Sequence, residues 1–85
     1  MNQVFKALSD PSRRKILELL KAESLTVTDI LKHFSFTNAS LSHHLDILKR
    51  ADLICRERKG QFIHYSINTT VFEDVMGKVL NIFKK

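Results

Sequence analysis

Cysteine, proline and glycine are nearly missing from this chain of 85 residues, which has one, one and two of them respectively. A single cysteine, Cys55, permits neither an intramolecular disulfide nor a multi-cysteine metal site, and fits a reducing compartment. Two glycines can hardly build a phosphate-cradling loop. So little glycine and proline, beside 44% hydrophobic residues, argues against disorder and for a helix-rich globule. No segment approaches the roughly 18 apolar residues of a membrane span, and the opening stretch from Met1 to Leu8 lacks the apolar run of a signal peptide. The expectation is a soluble cytoplasmic protein. No nucleophile, base and orienting acid fall together in a recognisable motif, so no enzyme is expected. Acidic residues are also scarce, 9 against 14 Lys and Arg, and the net charge of +5 points to a polyanionic partner. A chain this short buries only about 60–65% of its unfolded surface, so its core is marginal alone and a dimer would support it.

What is present is helical periodicity, broken once. Helices are expected over about 2–8, 11–22, 27–34 and 38–51, followed by a two-stranded wing over about 53–67 and a terminal helix over about 70–83. Val4, Phe5 and Leu8 mark the first helix. Asp10 caps the second, with Pro11 at its first position. Arg13, Arg14 and Lys15 crowd that helix's first turn, where the dipole disfavours cations. Two readings stay open there, an external anion such as phosphate or a plain solvated basic turn. Thr26 with Asp29 makes a capping box, and Leu25 can staple to Ile30. Thr37 caps the fourth helix after a connection of about three residues, the length found in a helix-turn-helix.

The fourth helix organises the rest. Leu41, His44, Leu45 and Leu48 share its apolar face, while Asn38, Ala39, Ser42 and His43 lead the other. Small, hydrogen-bonding side chains without a long acid suit the base edges of a DNA major groove. Beyond Ala51 the period becomes alternating. Ile63, Tyr65 and Ile67 should pack inward, Cys55 should lie near the core as an inert thiol, and Lys59-Gly60 should turn the hairpin. Arg56, Arg58, Lys59 and Gln61 make the hairpin tip cationic. Thr70 with Glu73 is expected to cap the last helix. Its apolar positions Phe72, Val75, Met76, Val79 and Phe83 exceed what one small core needs. They are expected to meet a second copy, together with Val4, Phe5 and Leu8.

Three stretches carry a resemblance: ALSDPSRRKILELL from Ala7, SLSHHLDILKRADLI from Ser40, and RKGQFIHYSI from Arg58. Taken in order, they resemble the ArsR/SmtB family of bacterial repressors over essentially the whole chain. Within it, MNQVFKALSDPSRRKIL and NTTVFEDVM are most similar to the short SdpR-type autorepressors. The resemblance implies a mainly α winged helix-turn-helix with a small β-hairpin, one domain over residues 1–85. It also implies a homodimer that places two reading helices in successive major grooves of an imperfect palindrome. Base reading would fall to Asn38, Ala39, Ser42 and His43, and backbone or wing contacts to Thr37, Ser40, Arg56, Arg58, Lys59 and Gln61.

The departures shape the rest of the reading. Metal-sensing members of the family carry a Cys-x-Cys pair where this chain has Thr26-Val27-Thr28, and neutral hydroxyls are poor ligands for soft ions. A second metal-binding subgroup uses histidines and carboxylates of its terminal helices, and no histidine follows His64. No cofactor and no stoichiometric metal are therefore expected, and a protein effector or simple control by abundance becomes the better candidate for release. His44 reads as an inward imidazole satisfied by backbone, and His43 as DNA-facing or simply solvated. The function read here is a DNA-binding autorepressor of its operator. The alternative is a winged-helix protein-interaction module that does not read DNA.

Overall fold

Capping side chains decide where the elements begin in the computed structural model, which describes residues 2–84. Helix α1 spans Asn2–Leu8 and α2 spans Pro11–Ala22. Between them the Asp10 carboxylate accepts the Arg13 backbone N–H at 3.0 Å, with Pro11 at the first turn. Strand β1, Leu25–Thr26, runs straight into α3, Val27–Leu31. Thr26 Oγ1 accepts the Asp29 N–H at 3.2 Å and the Asp29 carboxylate accepts the Thr26 N–H at 3.4 Å, the reciprocal pair of a capping box.

Helix α3 is shorter than its expected end near residue 34. After Leu31 the N–H groups of His33 and Phe34 bond three residues back, to Ile30 and Leu31. Phe34 leaves the helical path to stack on Phe36, with ring centres 4.5 Å apart, and Lys15 Nζ sits 5.1 Å from the centre of the Phe34 ring. The aromatic stack and the cation contact replace the next turn of helix.

Helix α4, Asn38–Arg50, starts where Thr37 Oγ1 accepts the Ser40 N–H at 3.2 Å. Its other end is a Schellman turn. The Asp52 N–H reaches Lys49 O at 2.9 Å and the Leu53 N–H reaches Leu48 O at 3.1 Å, while Asp52 takes a left-handed φ of 59°. Leu48 and Leu53, the apolar pair that accompanies such a turn, are both fully buried. Leu53 therefore closes the helix rather than opening the wing.

Strands β2, Ile54–Lys59, and β3, Phe62–Ile67, form the wing, and β1 adds to it in the antiparallel order β1-β3-β2. Gly60 has φ 63° at the first loop position, where a II′ hairpin turn calls for glycine. The register pairs Ile54 with Ile67, Arg56 with Tyr65 and Arg58 with Ile63 on one face. Cys55 with Ser66, Glu57 with His64 and Lys59 with Phe62 lie on the other. Cys55 is thus exposed, against expectation, because alternation turns it away from the core that Ile54 enters. Ile63 is half-buried and lies outside the core cluster, since the wing has left the body at that point.

Helix α5 spans Thr69–Ile82 and is capped by Asn68, whose Oδ1 accepts the Val71 N–H at 3.3 Å. The expected Thr70 cap falls inside the helix. Asn68 is held in place by its own N–H on Leu53 O at 3.0 Å, so its side chain meets the helix first. Ile16, Ile30, Leu41, Leu48 and Leu53 are the largest fully buried side chains. Val4 and Val75, expected at an interface with a second copy, are instead buried in this core. Their inward faces leave the neighbouring Phe5 and Met76 outside. Val75 is the buried residue of α5, with Val71, Phe72 and Val79 leaning on the core. Leu80, Ile82 and Phe83 are 61%, 72% and 79% exposed. The chain is elongated accordingly, with a radius of gyration of 13.5 Å against about 12 Å for a compact domain of this length.

Candidate nucleic-acid interface

One face of α4 lies in the core through Leu41, Leu45 and Leu48, which leaves the face of Asn38, Ala39, Ser42 and His43 exposed. Thr37 is exposed too, but its hydroxyl already works as the helix cap and donates to Ser40 Oγ at 3.4 Å. Ser40 is half-buried and keeps its own hydroxyl proton for an outside acceptor. Asp46 is on the outer face as well, held by Arg50 at 3.0 Å one turn away.

Arg56, Arg58, Lys59 and Gln61 are all exposed on the wing. They do not form one patch. The register puts Arg56 and Arg58 on the face of Tyr65, while Lys59 shares the opposite face with Glu57 and Phe62. Ser42, Asp46 and Lys49 of α4 meet Arg56 and Tyr65 of the wing around a polar cleft of about 230 Å³. Lys49 and Tyr65 are additions to the expected site. Their signal was present in the spacing, since Lys49 lies seven residues from Ser42 on the same stripe.

In the basic first turn of α2, Arg13 is buried while Arg14 and Lys15 stay exposed. Its cations bind the carbonyl ends of other helices. Arg13 donates from Nε to Ala7 O and from Nη2 to Lys6 O, both at 2.9 Å, and Arg14 Nη1 donates to Leu8 O at 2.7 Å. Lys15 Nζ donates to His33 O at 3.3 Å, just beyond α3. These carbonyls are the negative ends of two short helices, which is where cations belong. Arg13 is 8% exposed, the buried charged residue of the described chain.

Its third contact reaches α4. Arg13 Nη1 lies 3.2 Å from His44 Nδ1, and the Asp10 carboxylate is 3.9 Å from the same nitrogen. His44 is therefore satisfied by an arginine side chain, not by backbone as the sequence suggested. Burial pushes the His44 imidazole below its ordinary value of 6.5, with Arg13 and His43 adding to the fall and Asp10 opposing it. Desolvation works against ionisation of Asp10, yet the Arg13 N–H, the Arg13 and His44 charges and the Ser12 N–H hold it below 3.8.

Thr26 Oγ1 at the head of α3 is engaged with the Asp29 N–H, and the Asp29 carboxylate with the Thr26 N–H. Hydrogen bonding to Thr26 holds the Asp29 carboxyl below 3.8. This donor set does not fit the thiolate-binding metals of the family's sensing members. Among the described residues no group of three or more His, Cys, Asp or Glu side chains converges.

A helix with a small, polar outer face beside a basic two-stranded wing defines a winged helix-turn-helix regulator. Residues 10–55 match the family described as bacterial regulatory protein, arsR family. The chain is 56% identical over 85 residues to the transcriptional repressor SdpR of Bacillus subtilis, covering 100% of this chain and 94% of that protein. It is 34% identical over 76 residues to the arsenical resistance operon repressor of Staphylococcus aureus, covering 89% of this chain and 73% of that one. The solved ArsR-like transcriptional regulator from Rhodococcus sp. RHA1 shares the fold, with a TM-score of 0.86 at 22% identity over 95% of this chain and 76% of that one. The chain belongs to the arsR family of regulators, and it is not an enzyme. Among its described residues, no helix is long and apolar enough to cross a membrane.

Proposed function

We propose that residues 1–85 form one DNA-binding domain that represses transcription in the cytoplasm, including that of its own gene. It does so as a homodimer on an imperfect palindrome. The observation that carries this reading is the exposed face of Asn38, Ala39, Ser42 and His43, whose Ser42 shares a cleft with Arg56 of the wing. Asn38 can pair with an adenine edge and His43 can donate to or accept from a base. Thr37, Ser40, Lys59 and Gln61 complete the contacts to phosphate and sugar. The exposed apolar end of α5, with Phe5 and Leu8 of α1, supports pairing with a second copy. Release by a protein effector fits a chain whose metal-site positions hold threonine.

The test is binding to a duplex from the protein's own upstream region and to a scrambled duplex over a range of salt. Replacing Asn38 or His43 by Ala should cost about 1–3 kcal/mol on the operator and relax preference at single base pairs. Removing Arg56 or Arg58 should weaken both duplexes and lower the salt slope by about one. Wild-type protein that prefers neither duplex would refute sequence reading and favour an interaction module.

A further inference from the structure

We propose that His44 anchors a DNA backbone phosphate through its Nε2–H, held permanently as a donor by Arg13. The proposal rests on the DNA-reading function above and adds a contact that His44's partly inward position conceals.

The chemistry follows from what Arg13 can and cannot do. A guanidinium has only donors, so at 3.2 Å its Nη1–H obliges His44 Nδ1 to accept. A neutral imidazole that accepts at Nδ1 must carry its proton on Nε2. Arg13 cannot swing away to relax this demand, because Nε and Nη2 are fixed on Ala7 O and Lys6 O. Protonating His44 would set an Nδ1–H against an arginine N–H. The nearby Asp10 carboxylate, 3.9 Å away, is the one group facing the ring that favours the charged form. Arg13 and His43 oppose it, as does burial.

Nε2 itself has no partner among the described residues. No buried side-chain nitrogen or oxygen there lacks a hydrogen bond, and the His44 side chain is 16% exposed, so the unpartnered Nε2 reaches the surface. Its position on α4 says which surface. Thr37, Ser40 and His44 follow one another at spacings of three and four, along the flank of the helix beside the base-reading face. Ser40 keeps a free hydroxyl proton because Thr37 is the donor in their contact. Two neutral donors in line on the edge of a major-groove helix match the oxygens of a phosphate strand. A neutral donor also gives the contact a signature that no lysine or arginine has, since it binds phosphate without displacing a counterion.

The experiment has two arms. Long-range nitrogen–proton spectra of the wild-type histidine rings at about pH 8, above the ordinary histidine range, should show His44 as the Nε2–H tautomer. In the second arm, labelled duplexes of the upstream region and of scrambled sequence are titrated with wild type, His44→Phe and His44→Gln. The His44 ring lies 5.3 Å from that of Phe36, centre to centre, so His44→Phe keeps a ring there but has no donor. It should weaken both duplexes by about tenfold, with the salt slope unchanged. His44→Gln, whose amide N–H stands near the place of Nε2–H, should recover most of that loss. An Nδ1–H tautomer, undiminished binding by His44→Phe, or an equal loss in His44→Gln would each overturn the proposal. Should His44→Phe fail to fold, the wild-type tautomer and the Gln variant still decide. Failure of the underlying reading is distinct, because wild-type protein itself would then show no operator preference.

Discussion

Arg13→Met isolates the contribution of the one buried cation described in the chain. Methionine keeps most of the stem's volume, so the change removes hydrogen bonds rather than opening a cavity. Ala7 O and His44 Nδ1 lose the Arg13 donor, while Lys6 O loses one of three and keeps the Ser9 N–H and hydroxyl. The Ala7 bond is buried and the other two are partly buried. A buried acceptor left without a partner costs about 1–3 kcal/mol, and a partly wetted one less, so the loss should be about 2–5 kcal/mol. Domains of this size have only about 4–13 kcal/mol in total. Arg14→Met is the control, because Arg14 also donates to an α1 carbonyl, Leu8 O, but from an exposed position. It should cost less than about 1 kcal/mol. Urea unfolding with a common m value measures both, and amide exchange should show α1 opening early in Arg13→Met alone. The reasoning fails if Arg13→Met lies within about 0.5 kcal/mol of wild type, or is no worse than Arg14→Met.

Three more outcomes follow from single features. Asp52 holds a left-handed φ of 59° that glycine adopts freely, and its charge lies at a helix C-terminus, so Asp52→Gly should raise stability by about 1 kcal/mol in urea unfolding. Leu80→Glu with Phe83→Glu should turn a sedimenting dimer into a folded monomer with little loss of melting temperature, since both side chains are exposed within one chain. A dimer that survives both changes would show that α5 is not the interface. Lowering of the His44 imidazole below 6.5 means that the unfolded chain takes up the proton first, so stability should be flat above about 6.5 and fall below it until folded His44 also protonates. The lowered Asp10 and Asp29 carboxyls act at more acid pH, where their stabilisation is present above 3.8 and lost below it. His44→Phe should flatten the first slope, reduce the Asp10 share of the second and leave the Asp29 share.

The parts of the fold legible in the sequence are those whose cause is local. Asp10, Thr26 with Asp29, and Thr37 each reach an N–H three residues away, so side chain and partner are read in one glance. The apolar faces of α2 and α4 were legible for the same reason. What is shared between distant elements was not. Strand β1 is two residues long, and both also serve the head of α3, so no periodicity announces it. The apolar face of α5 was plain, but its division was not: Val75 enters the core while Met76, about 100° round the helix, stays out. Arg13 was visible as a cation in an awkward place. Its partners, the carbonyl end of α1 and a ring on α4, exist only after folding.

That awkward place bears on the proposed dimer. α1 carries Phe5 on its exposed side, so in the proposed dimer the angle between α1 and α4 would help set the distance between two copies of α4. Arg13 is the side chain that bonds to both helices, through Lys6 O and Ala7 O on one side and His44 on the other. Two heads on one face of DNA must lie about one helical turn apart, roughly 34–36 Å, so a loosened joint should be felt as tolerance of spacing. Operators lengthened or shortened by one base pair between half-sites should bind wild type at least about tenfold more weakly, about 1.4 kcal/mol. A folded Arg13→Met dimer should lose less than half of that discrimination, even though its affinity for the natural spacing falls. Binding of the spacing series to both proteins at one salt concentration decides it. If the mutant discriminates as sharply as wild type, the angle is held by the apolar packing of Val4, Ala7 and Leu48, and Arg13 serves stability alone.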